Sequence, residues 1–204
     1  LATLTIVSND MANENLSIVL SGSGRGCDAL TGTSVVQDGN TCTYSCTTGN
    51  VDLNGDLNLP SSNGCEYACT VQNNLLPDVP DDGFVDANCD GVDGTVANAI
   101  FVHPDGSDGF VGTPDEPKAT ITNAITVANV QGKDVYVAAG SYNLGVRITL
   151  QSGVSVYGGY GANDWSQRSD ANAALVNVSD TVAVRAINIA SETKLDRLHI
   201  TGGS

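Results

Sequence analysis

The sequence predicts an all-β chain in three segments: a β-hairpin over residues 1–24, an irregular cross-linked connector over 25–98, and the first coils of a parallel β-solenoid over 99–204. Three observations predict this. Apolar and polar residues alternate near the N-terminus. All six Cys lie in one Gly/Asn/Asp-rich stretch. Short apolar strands then recur at intervals near twenty residues.

In the first segment, Ala2, Leu4 and Ile6 alternate with Thr3, Thr5 and Val7, and Leu16, Ile18 and Leu20 alternate with Ser17, Val19 and Ser21. Ser8-Asn9-Asp10 and Asn13 supply turn chemistry between the two runs. A lone hairpin is marginal in water, so these strands need a partner sheet. The phrases ATLTIVSND and ENLSIVLSGSG resemble the last two strands of the immunoglobulin-like repeat called choice-of-anchor D, found in bacterial surface proteins. The resemblance implies the end of a β-sandwich.

The second segment holds most of the charge. The chain has 204 residues with 8 Lys+Arg against 23 Asp+Glu, a net charge of −15. From Gly26 to Pro117 there is no Lys or Arg, yet 15 of the 23 acids lie there. Such a block repels itself unless cations neutralise it. The same charge argues against nucleic acid or an anionic membrane surface as partner, since phosphate binding needs basic patches. No apolar run is long enough to insert into a membrane.

Cys27, Cys42, Cys46, Cys65, Cys69 and Cys89 all fall inside the acidic block. An even number in a stretch of little apolar content predicts disulfides in an oxidising, extracellular or cell-surface setting. Zinc is the alternative, from Cys42-x3-Cys46 and Cys65-x3-Cys69. Zinc ribbons usually space their pairs by two, and neither His103 nor His199 adjoins a Cys. Six Cys allow fifteen pairings, so none is assigned. Gly, Asn, Asp and Pro recur every few residues, which predicts turns, short strands and metal-held loops rather than helices.

Two acidic phrases in this block read as calcium loops. Asp86, Asn88, Asp90 and Gly91 fit the opening of a Ca²⁺ loop, and Asp78, Asp82, Gly83 and Asp86 give an overlapping register; Asp93 follows. Asp52, Asn54, Asp56 and Asn58 repeat the alternate spacing. Ca²⁺ takes six to eight oxygens, which carboxylates at alternate residues supply from one side of a loop. The position that an EF-hand fills with Glu is Ala97, and Leu57 stands where the turn glycine belongs in the other loop. The phrases resemble the calcium repeats of thrombospondin type 3 modules and the repeated D-x-N-G-D…N-G-C-E phrase of secreted bacterial proteins. A solvated acidic linker is the plain alternative for the first phrase, and an Asn/Gly turn for the second.

The third segment changes character. Ile121, Ala124, Ile125 and Ala128 fall on one helical face, with Thr120 or Thr122 as cap. Apolar strands centred near Val137, Val156, Asn177 and His199 follow at intervals of 19, 21 and 22 residues. Second strands, VRITL and VAVRAINIA, lie between them. This is the pattern of a parallel β-solenoid. The phrases IFVHPDGSDGFVGTPDEPKATITNAI, VYVAAGSY, GVSVYGGY and RLHITGG resemble the start of right-handed parallel β-helix domains of the pectate-lyase-like superfamily. The resemblance implies an N-terminal cap helix and the first coils of such a domain.

Catalysis finds no motif: there is no H-E-x-x-H, G-x-S-x-G or P-loop. Arg147, Arg168, Arg185 and Arg197 are the bases available to a uronate lyase, and the negative field opposes a polyuronate. Asp81/Asp82 and Asp115/Glu116 read as surface or metal groups, not a glycosidase pair. Tyr157, Tyr160 and Trp165 suit either core packing or a sugar ring. Asn15-Leu-Ser17 and Asn177-Val-Ser179 match the glycosylation pattern.

The expectation is a non-enzymatic structural or adhesive protein, secreted or at the cell surface, its connector rigidified by Ca²⁺ and disulfides. Its expected partners are other copies of itself, other surface proteins, or polysaccharide. Were Leu1–Ser204 a mature chain, its unpaired strand edges would favour head-to-tail assembly into a filament or sheath. The alternative is the N-terminal part of a polysaccharide-binding or polysaccharide-degrading β-helix protein whose active coils lie outside this chain.

Overall fold

A computed structural model describes residues 27–72 and 77–203; the hairpin expected over 1–24 lies outside the described residues. The regular elements of the described residues are mostly strands, with one α-helix.

The connector opens with a hairpin of β1 (Thr33–Asp38) and β2 (Thr41–Cys46). Asp38 sits opposite Thr41, so the turn is two residues, and Gly39 supplies its left-handed φ of 59°. Gly39-Asn40 between two strand-like runs is a sequence signal for such a turn. It is easily passed over here because both faces of the hairpin are largely exposed, which erases the apolar alternation. β3 (Asn50–Val51) and β4 (Tyr67–Ala68) form a second, two-residue antiparallel pair. A 3-10 turn at Val96–Asn98 closes the segment.

Three disulfides run along the connector in chain order: Cys27–Cys42, Cys46–Cys65 and Cys69–Cys89. They close sequence separations of 15, 19 and 20 residues. Loops of that size restrict the unfolded chain by about 3 kcal/mol each. The apolar contribution is small by comparison. Among the described residues before Ala99, the buried hydrophobic side chains are Cys65, Cys89 and Val92. Three disulfides in so small a segment fit an oxidising, extracellular environment.

The rest of the chain is built on parallel sheets. The first contains β5 (Ala99–Val102), β6 (Asp134–Ala138), β9 (Val156–Tyr160) and β12 (Leu195–Asp196). The second contains β7 (Gly140–Leu144), β10 (Ala174–Val178) and β13 (Leu198–Gly202). The third pairs β8 (Ile148–Leu150) with β11 (Val184–Ala186). The chain visits the sheets in turn, and each return adds a parallel strand to the sheet it left.

All three sheets contribute to one apolar cluster, including Ile100, Val137, Val156, Leu144, Val176 and Ile148. α1 (Ile121–Gln131) turns Ile121, Ala124, Ile125 and Ala128 into that cluster. The Thr120 hydroxyl accepts from the Asn123 N–H at its start, and Gly132 ends it at φ 66°. The outer edge of β5 is covered as well: Phe101 donates to the Gly112 carbonyl and accepts from the Lys118 N–H. A covered edge cannot recruit another strand.

The first and second sheets read differently in sequence because their outer faces differ. β10 alternates buried and exposed residues, as a sheet with one wet face must. β5 and β9 are buried throughout. Their outward residues Phe101, Tyr157 and Tyr160 join Tyr136 and Val92 in a second cluster, against which Val96 and Trp165 pack. The connector therefore roofs the first sheet. Tyr157, Tyr160 and Trp165 are packing residues: Trp165 meets Phe101 edge-on at 4.8 Å and donates its indole N–H to the Pro114 carbonyl.

The recurrence of about twenty residues is less uniform than the sequence suggests. Val135 lies beside Val156 in the first sheet, and Leu175 beside His199 in the second. Val156 and Asn177, however, belong to different sheets. The second-sheet strand that follows β6 is β7, whose Ser-Tyr-Asn-Leu lacks an apolar run. A loop over 161–173 carrying Trp165 and Arg168 then delays β10, and the strand spacing conceals it.

The inward and outward assignment of β10 can be checked directly. Val176→Ala should cost on the order of 2 kcal/mol, from lost burial and a residual cavity. Leu175→Ala, at 44% exposure, should stay within about 0.5 kcal/mol. Chemical denaturation of the two variants tests this.

Candidate functional site

The expected site residues fall into two neighbouring arrangements. One is a pair of acidic turns. The other is an arginine clasp that fastens the connector to the parallel sheets.

The two turns share one hydrogen-bond plan. In the first, the Asp52 carboxylate accepts from Asp56 N–H (3.2 Å) and Leu57 N–H (3.0 Å), and Asn54 Oδ1 also accepts from Asp56 N–H (3.0 Å). In the second, the Asp86 carboxylate accepts from Asp90 N–H (3.2 Å) and Gly91 N–H (2.8 Å), and Asn88 Oδ1 accepts from Asp90 N–H (2.9 Å). Asp and Asn at alternate positions fold the backbone back onto their own oxygens. The third acid of each turn plays a different part. Asp56 Oδ1 and Asp90 Oδ1 are buried with no hydrogen-bond partner in the protein. Only one other buried side-chain atom among the described residues, Asn123 Oδ1, shares that state. Leaving a buried polar atom unpaired costs free energy, so each such atom calls for a partner.

The remaining candidates are distributed around these turns. Asn58 stands exposed beyond the first turn. Asp78 accepts from Ala87 N–H (2.9 Å) and Gly94 N–H (3.2 Å), tying both ends of the second turn together. Glu66, the last residue of the N-G-C-E phrase, braces the first turn by accepting from Leu53 and Asn54 N–H. Tyr67 donates its hydroxyl to Asp86 at 2.9 Å. Leu53 reaches Gly91, so the two turns touch. Beside them a cleft of about 540 Å³ is lined by Glu66, Asp90, Asp115, Asp164 and Trp165 among others. Among the described residues no three His, Cys, Asp or Glu side chains gather closely enough to hold a metal by themselves.

Asp82 and Asp93 belong to the clasp. Arg168, with a side chain at 0% exposure, donates to Asp93 and to Asp196, both at 2.6 Å. It also donates to the carbonyls of Gly158 (3.0 Å) and Asp81 (2.9 Å). Its guanidinium thus bridges connector and first sheet with its forked donors satisfied on several sides. Arg197 binds Asp82 (2.8 Å), Asp170 (2.7 Å) and Asp196 (2.7 Å). The Phe84 ring lies beside both guanidiniums, 5.5 Å from Arg168 and 4.7 Å from Arg197. Phe84 holds φ 55°, a strained value for a bulky residue, which the surrounding contacts sustain.

The backbone joins the clasp. Tyr160 donates its hydroxyl to the Asp93 carbonyl (2.6 Å), and Thr95 N–H donates to the Tyr136 hydroxyl (3.1 Å). Gly94 between them, at φ 119°, passes so close to Tyr136 that a Cβ would collide with the ring hydroxyl. The sequence shows Arg168 as a lone base in a turn-rich loop. Nothing in its neighbourhood signals that its partners include Asp81 and Asp93 in the preceding segment.

Burial raises the carboxyl pKa values of Asp78, Asp90 and Asp93 above the ordinary 3.8. The Asp86 charge adds to the rise at Asp78 and Asp90. The contact with Arg197 pulls the exposed Asp82 the other way.

Comparison of the chain with protein-family models, with curated proteins and with solved structures returned no match.

Two measurements follow. Arg168→Met should cost about 3–5 kcal/mol, because it leaves the buried Asp93 charge unpaired. Adding Asp93→Asn should recover part of that loss in denaturant titrations. A raised folded-state pKa means that the folded chain holds its proton more tightly than the unfolded one, so stability is lost as pH rises through the folded value. In chelator at neutral pH, Asp90→Asn should therefore melt above the parent, and the gap should close as pH falls toward 3.8.

Proposed function

We propose that this chain is a calcium-stabilised structural segment of a secreted or cell-surface protein. In this reading the acidic, disulfide-linked connector is fastened to the first coils of a right-handed parallel β-helix. An immunoglobulin-like end, the reading of residues 1–24, precedes it. Support for the β-helix comes from three parallel sheets that the chain visits in rotation around one shared core. The pectate-lyase-like phrases of the sequence agree with it.

The observation that carries the calcium reading is the duplicated turn, with one carboxylate oxygen, on Asp56 and on Asp90, left buried and unpartnered in each copy. A hard divalent cation is the partner that suits this donor set, because Ca²⁺ takes carboxylate, amide and backbone oxygens alike. Asp52, Asn54 and Asp56 would hold one ion, and Asp86, Asn88 and Asp90 another. Backbone carbonyls and water would complete each shell. Bound cations would also offset the self-repulsion of a stretch, Gly26 to Pro117, that has no Lys or Arg of its own.

A second reading, glycan binding, is favoured by the cleft in which the partly exposed Trp165 edge meets acidic residues. The acidic lining suits a neutral or cationic sugar rather than a polyuronate. A glycan panel that gives binding without turnover would support it.

The calcium reading is tested by melting at low salt with Ca²⁺ or with chelator. Ca²⁺ at about one hundred times its Kd should add about 2.7 kcal/mol per site. Asp90→Asn, stabilising in chelator, should become destabilising in Ca²⁺. Identical melting in Ca²⁺ and chelator would overturn the assignment.

A further inference from the structure

The two acidic turns solve one backbone problem in different ways. The fourth residue of each is left-handed: Gly55 at φ 69° in the first, Cys89 at φ 60° in the second. Glycine enters that region freely. A residue with a Cβ is disfavoured there by roughly tenfold or more. Cys89 is also bonded to Cys69, and Cys69 Sγ lies 3.3 Å from the carbonyl oxygen of Asp86, the first residue of the same turn. The cross-link therefore spans the turn it belongs to.

We propose that the Cys69–Cys89 disulfide is a redox-sensitive lock that does for the 86–91 turn what glycine does for the 52–57 turn. Reduction releases the second turn and leaves the first in place. The inference rests on backbone conformation and cross-linking, and stands whichever ion the turns hold. A dithiol reductant supplies two electrons and two protons; the S–S bond breaks, Cys69 and Cys89 become thiols, and the reductant leaves as its own disulfide. Cys89 is 5% exposed, whereas Cys69 is half-buried, so exchange begins at the Cys69 sulfur. Once untethered, Cys89 relaxes toward negative φ, and the Asp90 and Gly91 amides leave the Asp86 carboxylate. The effect carries onward. Asp90 accepts from Val96 N–H at 2.8 Å, and residues 93–95 between them form the clasp on Tyr136, Tyr160 and Arg168.

The test compares three double variants by amide hydrogen exchange: Cys69→Ala with Cys89→Gly, with Cys89→Asn, or with Cys89→Ala. Exchange at Asp90 and Gly91 should be slowest with Cys89→Gly. It should be intermediate with Cys89→Asn, since Asn tolerates left-handed φ, and roughly tenfold faster with Cys89→Ala than with Cys89→Gly. Asp56 and Leu57 should exchange alike in all three. As a control, Cys27→Ala is combined with Cys42→Gly or Cys42→Ala. Cys42 lies in a strand, so the order should reverse and Gly should be the weaker substitute. If the variant carrying Cys89→Ala alone fails to fold, the lock stands. Equal exchange in the Cys89→Gly and Cys89→Ala variants, or failure of all three to fold, would overturn it.

Discussion

The fold depends on one buried ion pair. Arg168 comes from a loop between two strands of the parallel sheets, and Asp93 from the acidic connector. Both side chains are sealed from water. A buried charge without a partner is costly, so neither segment can take its place without the other. Arg168 also collects Asp196 and the carbonyls of Asp81 and Gly158, and its donors reach three separate stretches of chain. This geometry requires a planar, forked cation; a lysine would satisfy one or two of the same acceptors.

Around that pair the connector borrows the order that it cannot generate from its own apolar residues. Val92 and Val96 reach the aromatic cluster on the first sheet, and the backbone at 93–95 hangs from two tyrosine hydroxyls. Further toward the N-terminus the sheets no longer help. There the disulfides take over, each closing a short stretch of turns before the next begins. The acidic block thus has three sources of cohesion. Arginines come from the parallel-sheet segment, sulfur bridges from within, and its own carboxylates accept backbone N–H groups.

The last source explains the Asp-x-Asn-x-Asp spacing. Alternate side chains on a tight turn point to one side, where they meet the amides of the returning chain. Asp52 and Asp86 do this with the same partners in the two copies. The third acids, Asp56 and Asp90, each keep one oxygen that no amide reaches, which is why they stand apart.

Much of this was legible in the residues. The helix over 121–131, its buried face and its threonine cap follow from apolar spacing that is local to a few turns. The crowding of Cys where apolar mass is scarce pointed to disulfides, because a segment without a core needs cross-links. The recurrence of short apolar strands pointed to stacked parallel strands. Three features were decided only in the tertiary structure. They are the pairing of the six Cys, the shift of β10 to a different sheet from β9, and the commitment of Asp82 and Asp93 to arginines. Each depends on which distant segments come together, and sequence spacing carries no record of that. Arg168 and Asp93 look ordinary in their own neighbourhoods; folding buries them side by side, and the cost of separating two desolvated charges does the rest.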